Sequence, residues 1–297
     1  MIARYRALLV GNGYFPHEPA LAPLHGPFND VAALAQALTD PGVGLFDPHD
    51  VTLLPDRDGE EILYALQEMC TAAGRDDLLL LYYSGHGLPG DLGTGSLRLC
   101  ARDTVLSRER DTAIGFPQLD RILRTSAAAV TLVVLDCCYS GAAKGAPDAR
   151  HLAVARGRCI MTACRERETT PDAVNSTSLS RFTSYLVAGL RSGPDRRGAE
   201  DTRISDLFEF ALRRMAADGA GPLPTQRVSS TGASPHVPIA RLPPLPAPPA
   251  PGPPPASLGD TAPPWLRGAA RWVLFLLLTI GALVGATGTS AITDDLA

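Results

Sequence analysis

The chain has 297 residues, with 27 Lys and Arg against 31 Asp and Glu, giving a formal net charge of −4. This weakly acidic balance provides no basic field for a phosphate backbone, which argues against nucleic acid as a partner. The 6 cysteines lack the repeated two-residue spacing of a zinc ribbon, so a structural metal is not expected.

Apolar runs and helically spaced apolar residues alternate along the first part of the chain. The apolar runs predict strands at 5–10, 51–54, 78–83, 130–135 and 159–163, with a small hairpin arm at 97–101. The helical spacings predict helices at 60–73, 182–190 and 204–215, a short one around 119–123, and one that Asn29 caps and Pro41 stops. This order predicts an α/β fold, in which helical layers cover both faces of a mostly parallel sheet.

The composition changes after Gly221. Prolines cluster from Pro243 to Pro255, which favours extended polyproline geometry over a packed core. Residues 272–293 then carry no charge and are long enough to cross about 30 Å of hydrocarbon, so we predict a transmembrane helix. A buried core helix is the alternative, but the proline-rich spacer isolates the segment from the rest of the chain.

These changes predict four parts of the chain. They are a folded domain at 1–241, a proline-rich linker at 242–266, a transmembrane helix at 267–293 and a short acidic tail at 294–297. Arginines precede the helix and aspartates follow it, so the folded domain is expected on the cytoplasmic side of a cell membrane. The N-terminus lacks a signal peptide's apolar core, which also predicts a cytosolic domain with reduced thiols.

Two segments end predicted strands in glycine-bearing turns, residues 82–87 with His86 and residues 136–141 with Cys138. Because parallel strands share one carboxyl edge, a His and a Cys at two such ends can meet. The imidazole could then accept the thiol proton and leave a nucleophilic thiolate. Alone, the His could be a surface residue and the Cys a core residue. Together they predict a catalytic pair.

These two segments resemble the active-site motifs of the caspase and metacaspase superfamily, the C14 type of cysteine peptidase, and are similar to those of its bacterial members. A third segment, residues 24–30, resembles the Leu-x-Gly-x-x-Asn-Asp sequence at the start of the first metacaspase helix. The resemblance covers roughly residues 4–241. It implies a caspase-like α/β/α sandwich and proteolysis of proteins or peptides without a cofactor.

Carried over by position, the resemblance makes His86 the general base and Cys138 the nucleophile. The backbone N–H groups of Gly87 and Cys138 become the oxyanion donors, aimed at the charge that develops in the tetrahedral intermediate. Cys137 is a rival nucleophile. Adjacent residues leaving a strand point to opposite sides, and the family motif places the nucleophile at Cys138.

The resemblance also implies a substrate pocket formed by Asp30, Asp136 and Ser84. In metacaspases the matching acids select arginine or lysine before the scissile bond, as charge-assisted pairing with carboxylates would explain. Two plainer explanations stay open. Asp30 could be a first-turn helix acid that the helix dipole favours, and Asp136 could only brace its loop.

The sequence leaves several further points open. The acids after His86, mainly Asp91, Asp103, Glu109 and Asp111, are interspersed with arginines and do not support a calcium site, although calcium activation is not excluded. Tyr139 replaces a His common in metacaspases, which should not remove activity. The loops at 142–158 and 165–181 could be sites of self-cleavage or only surface loops. A latent membrane-tethered scaffold or peptide-binding module is the alternative function, and an enzyme acting on small molecules is a weaker one.

Overall fold

The computed structural model describes residues 1–89, 97–139, 157–162, 177–194, 200–218 and 234–243, all within the first of the chain's two units, Met1–Pro244. In these ranges no helix has the length and apolar character needed to span a membrane. The predicted transmembrane helix at 267–293 and the tail at 294–297 lie outside the described residues, as does nearly all of the predicted linker.

Strands and helices alternate along the described ranges. The strands are β1 Tyr5–Gly11, β2 Val51–Pro55, β3 Leu78–Pro89, β4 Leu97–Leu99, β5 Ile114–Gly115, β6 Val130–Tyr139, β7 Arg158–Thr162, β8 Asp201–Arg203 and β9 Pro238–Arg241. The α-helices are α1 Gly26–Leu38, α2 Gly59–Ala72, α3 Glu109–Thr112, α4 Phe116–Leu123, α5 Arg181–Ser192 and α6 Ile204–Ala217.

The first seven strands form one sheet. Its parallel part has the order β2-β1-β3-β6-β7. Strands β4 and β5 extend it by antiparallel pairing from the end of β3, and β8 pairs separately with β9. The mostly parallel central sheet that the sequence predicts is therefore confirmed.

Helices cover both faces of this sheet because its central strands carry apolar side chains on both. On one face, β3 contributes Leu80 and Tyr82 to a core that α1, α5 and α6 complete. On the other, Leu79, Leu81 and Tyr83 belong to a second core completed by α2 and α4. A strand buried on both faces requires this continuous apolar run. The α/β/α architecture is thus confirmed.

Helix α1 begins earlier than predicted. Its N-cap residue is His25 rather than Asn29, and Pro27 lies in its first turn. Proline suits that position because a first-turn N–H has no partner within the helix. The Asn29 amide instead donates to the carbonyl oxygens of His25 at 3.3 Å and Ser178 at 3.0 Å. The prediction that Asn29 caps the helix is wrong, and its side chain ties α1 to the segment before α5.

Strand β3 extends well beyond its predicted end at Tyr83. It pairs in parallel with β6 as far as Gly87, and from Gly87 to Pro89 it pairs with β4 in the antiparallel sense. Strand β6 likewise continues to Tyr139. The prediction that His86 and Cys138 occupy turns after their strands is therefore wrong. Ladder pairing on both sides of β3 keeps this stretch extended despite its glycines.

Candidate active site

His86 and Cys138 are direct partners in the parallel ladder between β3 and β6. Neighbouring strands lie about 4.8 Å apart, so the structure brings the backbones of these two predicted site residues together. Buried pairs such as Leu81 and Val133 precede them in the same ladder. A slip of one residue would turn those apolar side chains to the wrong face, so the two cores hold the register.

A segment that the sequence analysis did not connect with the site supports the His86 ring. Residues 12–25, here called the histidine loop, place the carbonyl oxygen of Ala22 2.8 Å from Nε2 of His86. A carbonyl oxygen only accepts, so Nε2 carries a proton in this contact, and when the ring is neutral Nδ1 is the acceptor. The Phe15 ring packs against the imidazole with centroids 5.2 Å apart. Backbone carbonyls have no sequence signature, which is why Ala22 was missed.

Two carboxylates hold the histidine loop in place. Asp56 has a positive φ of 46° and accepts hydrogen bonds from the amides of Gly13 at 2.8 Å and Tyr14 at 2.9 Å. Glu18 accepts from the amide of Leu106 at 2.8 Å. Both contacts link the loop to segments far away in the sequence. The position of the imidazole therefore depends on acids that do not touch it.

Cys137, the rival nucleophile, is a core residue. It is 2% exposed and belongs to the apolar cluster on the α2 and α4 face, together with Leu135 and Ile160. A thiol enclosed in this way cannot reach a substrate carbonyl, so only Cys138 of the adjacent cysteines is left as a candidate nucleophile.

Asp30 is fully buried and binds two elements at once. Its Oδ2 accepts a hydrogen bond from the Ser84 hydroxyl at 2.8 Å, and its Oδ1 accepts from the amide of Ser180 at 2.8 Å. The first turn of α1 holds no acidic residue, because the helix begins at Gly26 and Asp30 falls in its second turn. The explanation of Asp30 as a first-turn acid is therefore wrong.

Asp136 lies beside this group. It is the ladder partner of Ser84, and its Oδ2 accepts hydrogen bonds from the hydroxyl of Thr183 at 2.6 Å and from the Thr183 amide at 3.2 Å. The structure thus brings together all three residues predicted for the substrate pocket. The start of α5 belongs to the same group, because Ser180 donates a hydrogen bond to Asp30 and Thr183 donates to Asp136.

The two acids influence each other electrostatically. The pKa of Asp30 is raised to about 7, mainly by burial and then by the nearby charge of Asp136, while the hydrogen bonds from Ser180 and Ser84 partly oppose the rise. Two carboxylates that share a buried site resist carrying two negative charges. A cation close to the two carboxylates would relieve that repulsion.

The predicted oxyanion donor Gly87 lies within the sheet, opposite Tyr139 in β6 and Leu99 in β4. In the part of the chain that the structure describes, no group of three or more His, Cys, Asp or Glu could hold a metal. Asp103, one of the acids weighed for calcium, accepts a hydrogen bond from the amide of Gly59 at 2.9 Å. Asp91 lies outside the described residues.

A family model of the caspase domain matches residues 4–232. The chain belongs to the caspase-domain family. At the level of the family, a caspase domain indicates a caspase-like cysteine peptidase that acts on protein substrates. The resemblance that the motifs predict is confirmed. A search of curated proteins gives no match.

Solved structures share the caspase fold at low sequence identity. Protein GSU0716 from Geobacter sulfurreducens is 18% identical with a TM-score of 0.55, over 77% of this chain and 94% of that chain. Caspase-1 from Spodoptera frugiperda is 20% identical with a TM-score of 0.51, over 76% and 86%. The structure of pro-sf-caspase-1 is 18% identical with a TM-score of 0.52, over 76% and 87%. These likenesses establish the fold.

Proposed function

We propose that this caspase domain is a cysteine endopeptidase with Cys138 as nucleophile and His86 as general base. The observation that carries the proposal is the ladder register, which pairs the backbone of Cys138 directly with that of His86. Two observations support it. Cys137 is enclosed in the core, and the carbonyl oxygen of Ala22 fixes Nε2 of His86 as the protonated nitrogen.

In the proposed reaction, Nδ1 of His86 accepts the thiol proton of Cys138, and the thiolate adds to the scissile carbonyl carbon. The amides of Gly87 and Cys138 are the proposed donors to the resulting oxyanion. The C–N bond then breaks as the imidazolium gives its proton to the leaving amine. His86 next deprotonates a water molecule, which hydrolyses the thioester and restores the thiol.

We further propose cleavage after arginine or lysine, with Asp30, Asp136 and Ser84 forming the pocket for the basic side chain. The support is the juxtaposition of two acids that repel each other when both are ionised. A guanidinium pairs with carboxylates through several charge-assisted hydrogen bonds, whereas an aspartate side chain would add a third negative charge. The same pocket therefore disfavours the aspartate that caspases prefer.

The proposed enzyme is tethered to a membrane by residues 267–293. Residues 272–293 are uncharged and apolar, with Arg267 and Arg271 before them and Asp294 and Asp295 after them. This distribution favours a cytoplasmic domain under the positive-inside rule. The proline-rich linker would give the domain reach from the membrane surface.

The test is hydrolysis of matched fluorogenic peptides that end in Arg, Lys or Asp by the full chain purified in detergent. We expect cleavage of the Arg and Lys peptides, lost in Cys138→Ala and His86→Ala and retained in Cys137→Ala. Faster cleavage of the Asp peptide would contradict the proposed pocket while leaving the peptidase intact. Mass spectrometry of the same samples would show whether the chain cleaves itself, which stays a prediction.

The alternative function, a latent scaffold or peptide-binding module, would appear in the same experiment. A folded wild-type chain that hydrolyses none of the peptides, with or without calcium, would support the scaffold. Cleavage only after calcium is added would instead identify a calcium-activated peptidase. Fractionation of cells that express the full chain, compared with residues 1–241, tests the membrane tether.

A further inference from the structure

Thr183 joins one acid of the proposed pocket to the protein core. Its side chain is fully buried, and its hydroxyl oxygen lies 2.6 Å from Oδ2 of Asp136 and 2.5 Å from the hydroxyl oxygen of Tyr82. Tyr82 is also fully buried, in the core that α1, α5 and α6 complete. A threonine hydroxyl has a single hydrogen, so Thr183 donates a hydrogen bond in one of these contacts and accepts one in the other.

When Asp136 is ionised, it fixes those directions. A carboxylate only accepts, so the Thr183 hydroxyl donates to Asp136 and accepts the hydrogen of Tyr82. Burial and the charges of Asp30 and Asp136 raise the pKa of Tyr82 well above its ordinary value, which keeps the phenol protonated. The result is a one-way chain of hydrogen bonds from Tyr82 through Thr183 to Asp136.

The start of α5 also sets how far apart the two acids lie. The amide of Ser180 donates to Asp30, and the amide of Thr183 donates to Asp136. The charges of both acids act on the Tyr82 phenol, which therefore lies near Asp30 as well as near Asp136.

We propose that Thr183, supported by Tyr82, is a positioning residue that fixes Asp136 for recognition of a basic substrate side chain. This inference rests on the proposed function of the acidic pocket. Thr183 does not touch the reacting atoms. Without the Thr183 hydroxyl, Asp136 loses the shorter of its two hydrogen bonds from Thr183, which weakens the restraint on the position of its carboxylate.

The test uses peptides that end in arginine or in citrulline, which has the same shape without the charge. In Thr183→Val, which keeps the shape and the amide, we expect KM for the arginine peptide to rise about 10-fold with kcat within about 2-fold. KM for the citrulline peptide should barely change. Thr183→Ser restores the hydroxyl and should restore the arginine KM. Tyr82→Phe should raise that KM by about 3-fold.

Thr202→Val is the matched control. Thr202 is also fully buried, and its hydroxyl has no hydrogen-bond partner among the described residues. We expect this variant to keep the wild-type KM for arginine. If Thr183→Val fails to fold, Thr183→Ser and Tyr82→Phe carry the test, and a wild-type KM in Tyr82→Phe would overturn the inference.

Failure of this inference can be distinguished from failure of the proposed function. A wild-type chain that cleaves the arginine peptide, with the same KM in Thr183→Val, overturns the inference alone. If the wild type cleaves nothing, calorimetric titration with agmatine, an arginine mimic, replaces the kinetics. Binding that Thr183→Val weakens about 10-fold would support the inference, while equal binding or none would overturn it.

Discussion

The hydroxyl of Tyr83 donates a hydrogen bond to the backbone carbonyl oxygen of His86 at 2.8 Å, three residues further along the same strand. The same hydroxyl lies 2.8 Å from the carbonyl oxygen of Cys100, which follows β4. Gly85 makes this contact possible, because a Cβ there would lie 2.5 Å from the Tyr83 hydroxyl oxygen and 2.9 Å from the carbonyl oxygen of Asn12. The phenol thus braces the backbone of the proposed base.

Gly85→Ala should therefore destabilise the fold. The new methyl group must displace the Tyr83 hydroxyl, and we expect a loss of about 2 kcal/mol or more in the free energy of unfolding. Gly115→Ala is the control, since the nearest atom to its Cβ would be a side-chain nitrogen at 3.6 Å. Urea denaturation measures both variants, and equal losses would contradict the steric argument.

Stability should depend on pH through Asp30. Its pKa rises from an ordinary 3.8 to about 7, so the folded chain binds more protons than the unfolded chain between these values. The stabilisation is complete below pH about 4 and is lost as the pH rises through about 7. Asp30→Asn removes this dependence. Its free energy of unfolding relative to wild type should therefore increase as the pH rises from about 4 to about 7, by on the order of a few kcal/mol.

Urea denaturation at several pH values between 4 and 8 checks this expectation. Asp40→Asn is the control, because Asp40 lies in a surface turn, where it accepts a hydrogen bond from the amide of Gly42 at 2.7 Å. That variant should follow the wild-type pH profile. Parallel profiles for Asp30→Asn and wild type would show that Asp30 does not titrate in this range.

Asp120 connects a buried arginine with an exposed one. It forms ion pairs with Arg158, whose side chain is 3% exposed, and with Arg124, which is 49% exposed. Asp120→Ala leaves the buried guanidinium uncompensated and should cost about 3–5 kcal/mol of unfolding free energy. Arg124→Ala breaks only the exposed pair and should cost about 0–1 kcal/mol. If denaturation experiments gave the two variants similar losses of unfolding free energy, burial of the arginine would not determine the contribution of its ion pair to stability.

The histidine loop provides a kinetic prediction. Asp56→Ala removes the acceptor of two amides and places alanine at a positive φ, so we expect the loop and the imidazole that it supports to shift. Peptide hydrolysis should show kcat reduced by about 10-fold or more. Asp56→Asn keeps an acceptor oxygen and tolerates the same backbone conformation, and it should retain most activity. If both variants kept wild-type kcat, the loop would not position His86.

The sequence predicted the sheet and its layers because their signals are local. Runs such as 78–83 and 130–135 contain enough apolar residues to predict buried strands without knowledge of their neighbours. The extension of β3 to Pro89 was not predictable in this way. Glycine has a low strand preference, and this stretch is extended because β6 and β4 pair with it.

The candidate site shows the same division. Motifs identified His86, Cys138, Asp30, Asp136 and Ser84 as positions that could act together, and the fold places them near one another. The support from Ala22 and Thr183 was not predicted. It comes from a backbone carbonyl and from a hydroxyl nearly 50 residues after Asp136, and tertiary contacts of this kind leave no local pattern.

One ladder carries both halves of the proposed chemistry. Ser84 pairs with Asp136, and two residues further along the strands His86 pairs with Cys138. Residues two apart in a strand lie on the same face of the sheet. The separation of these pairs is therefore the repeat of a β-strand, about 6.6 Å, whatever the length of the surrounding loops. Insertions in those loops can change which proteins approach the domain without altering this spacing. Under the proposed function, a change in the residue recognised before the scissile bond would instead require substitutions in the ladder or in residues that contact it, such as Asp30.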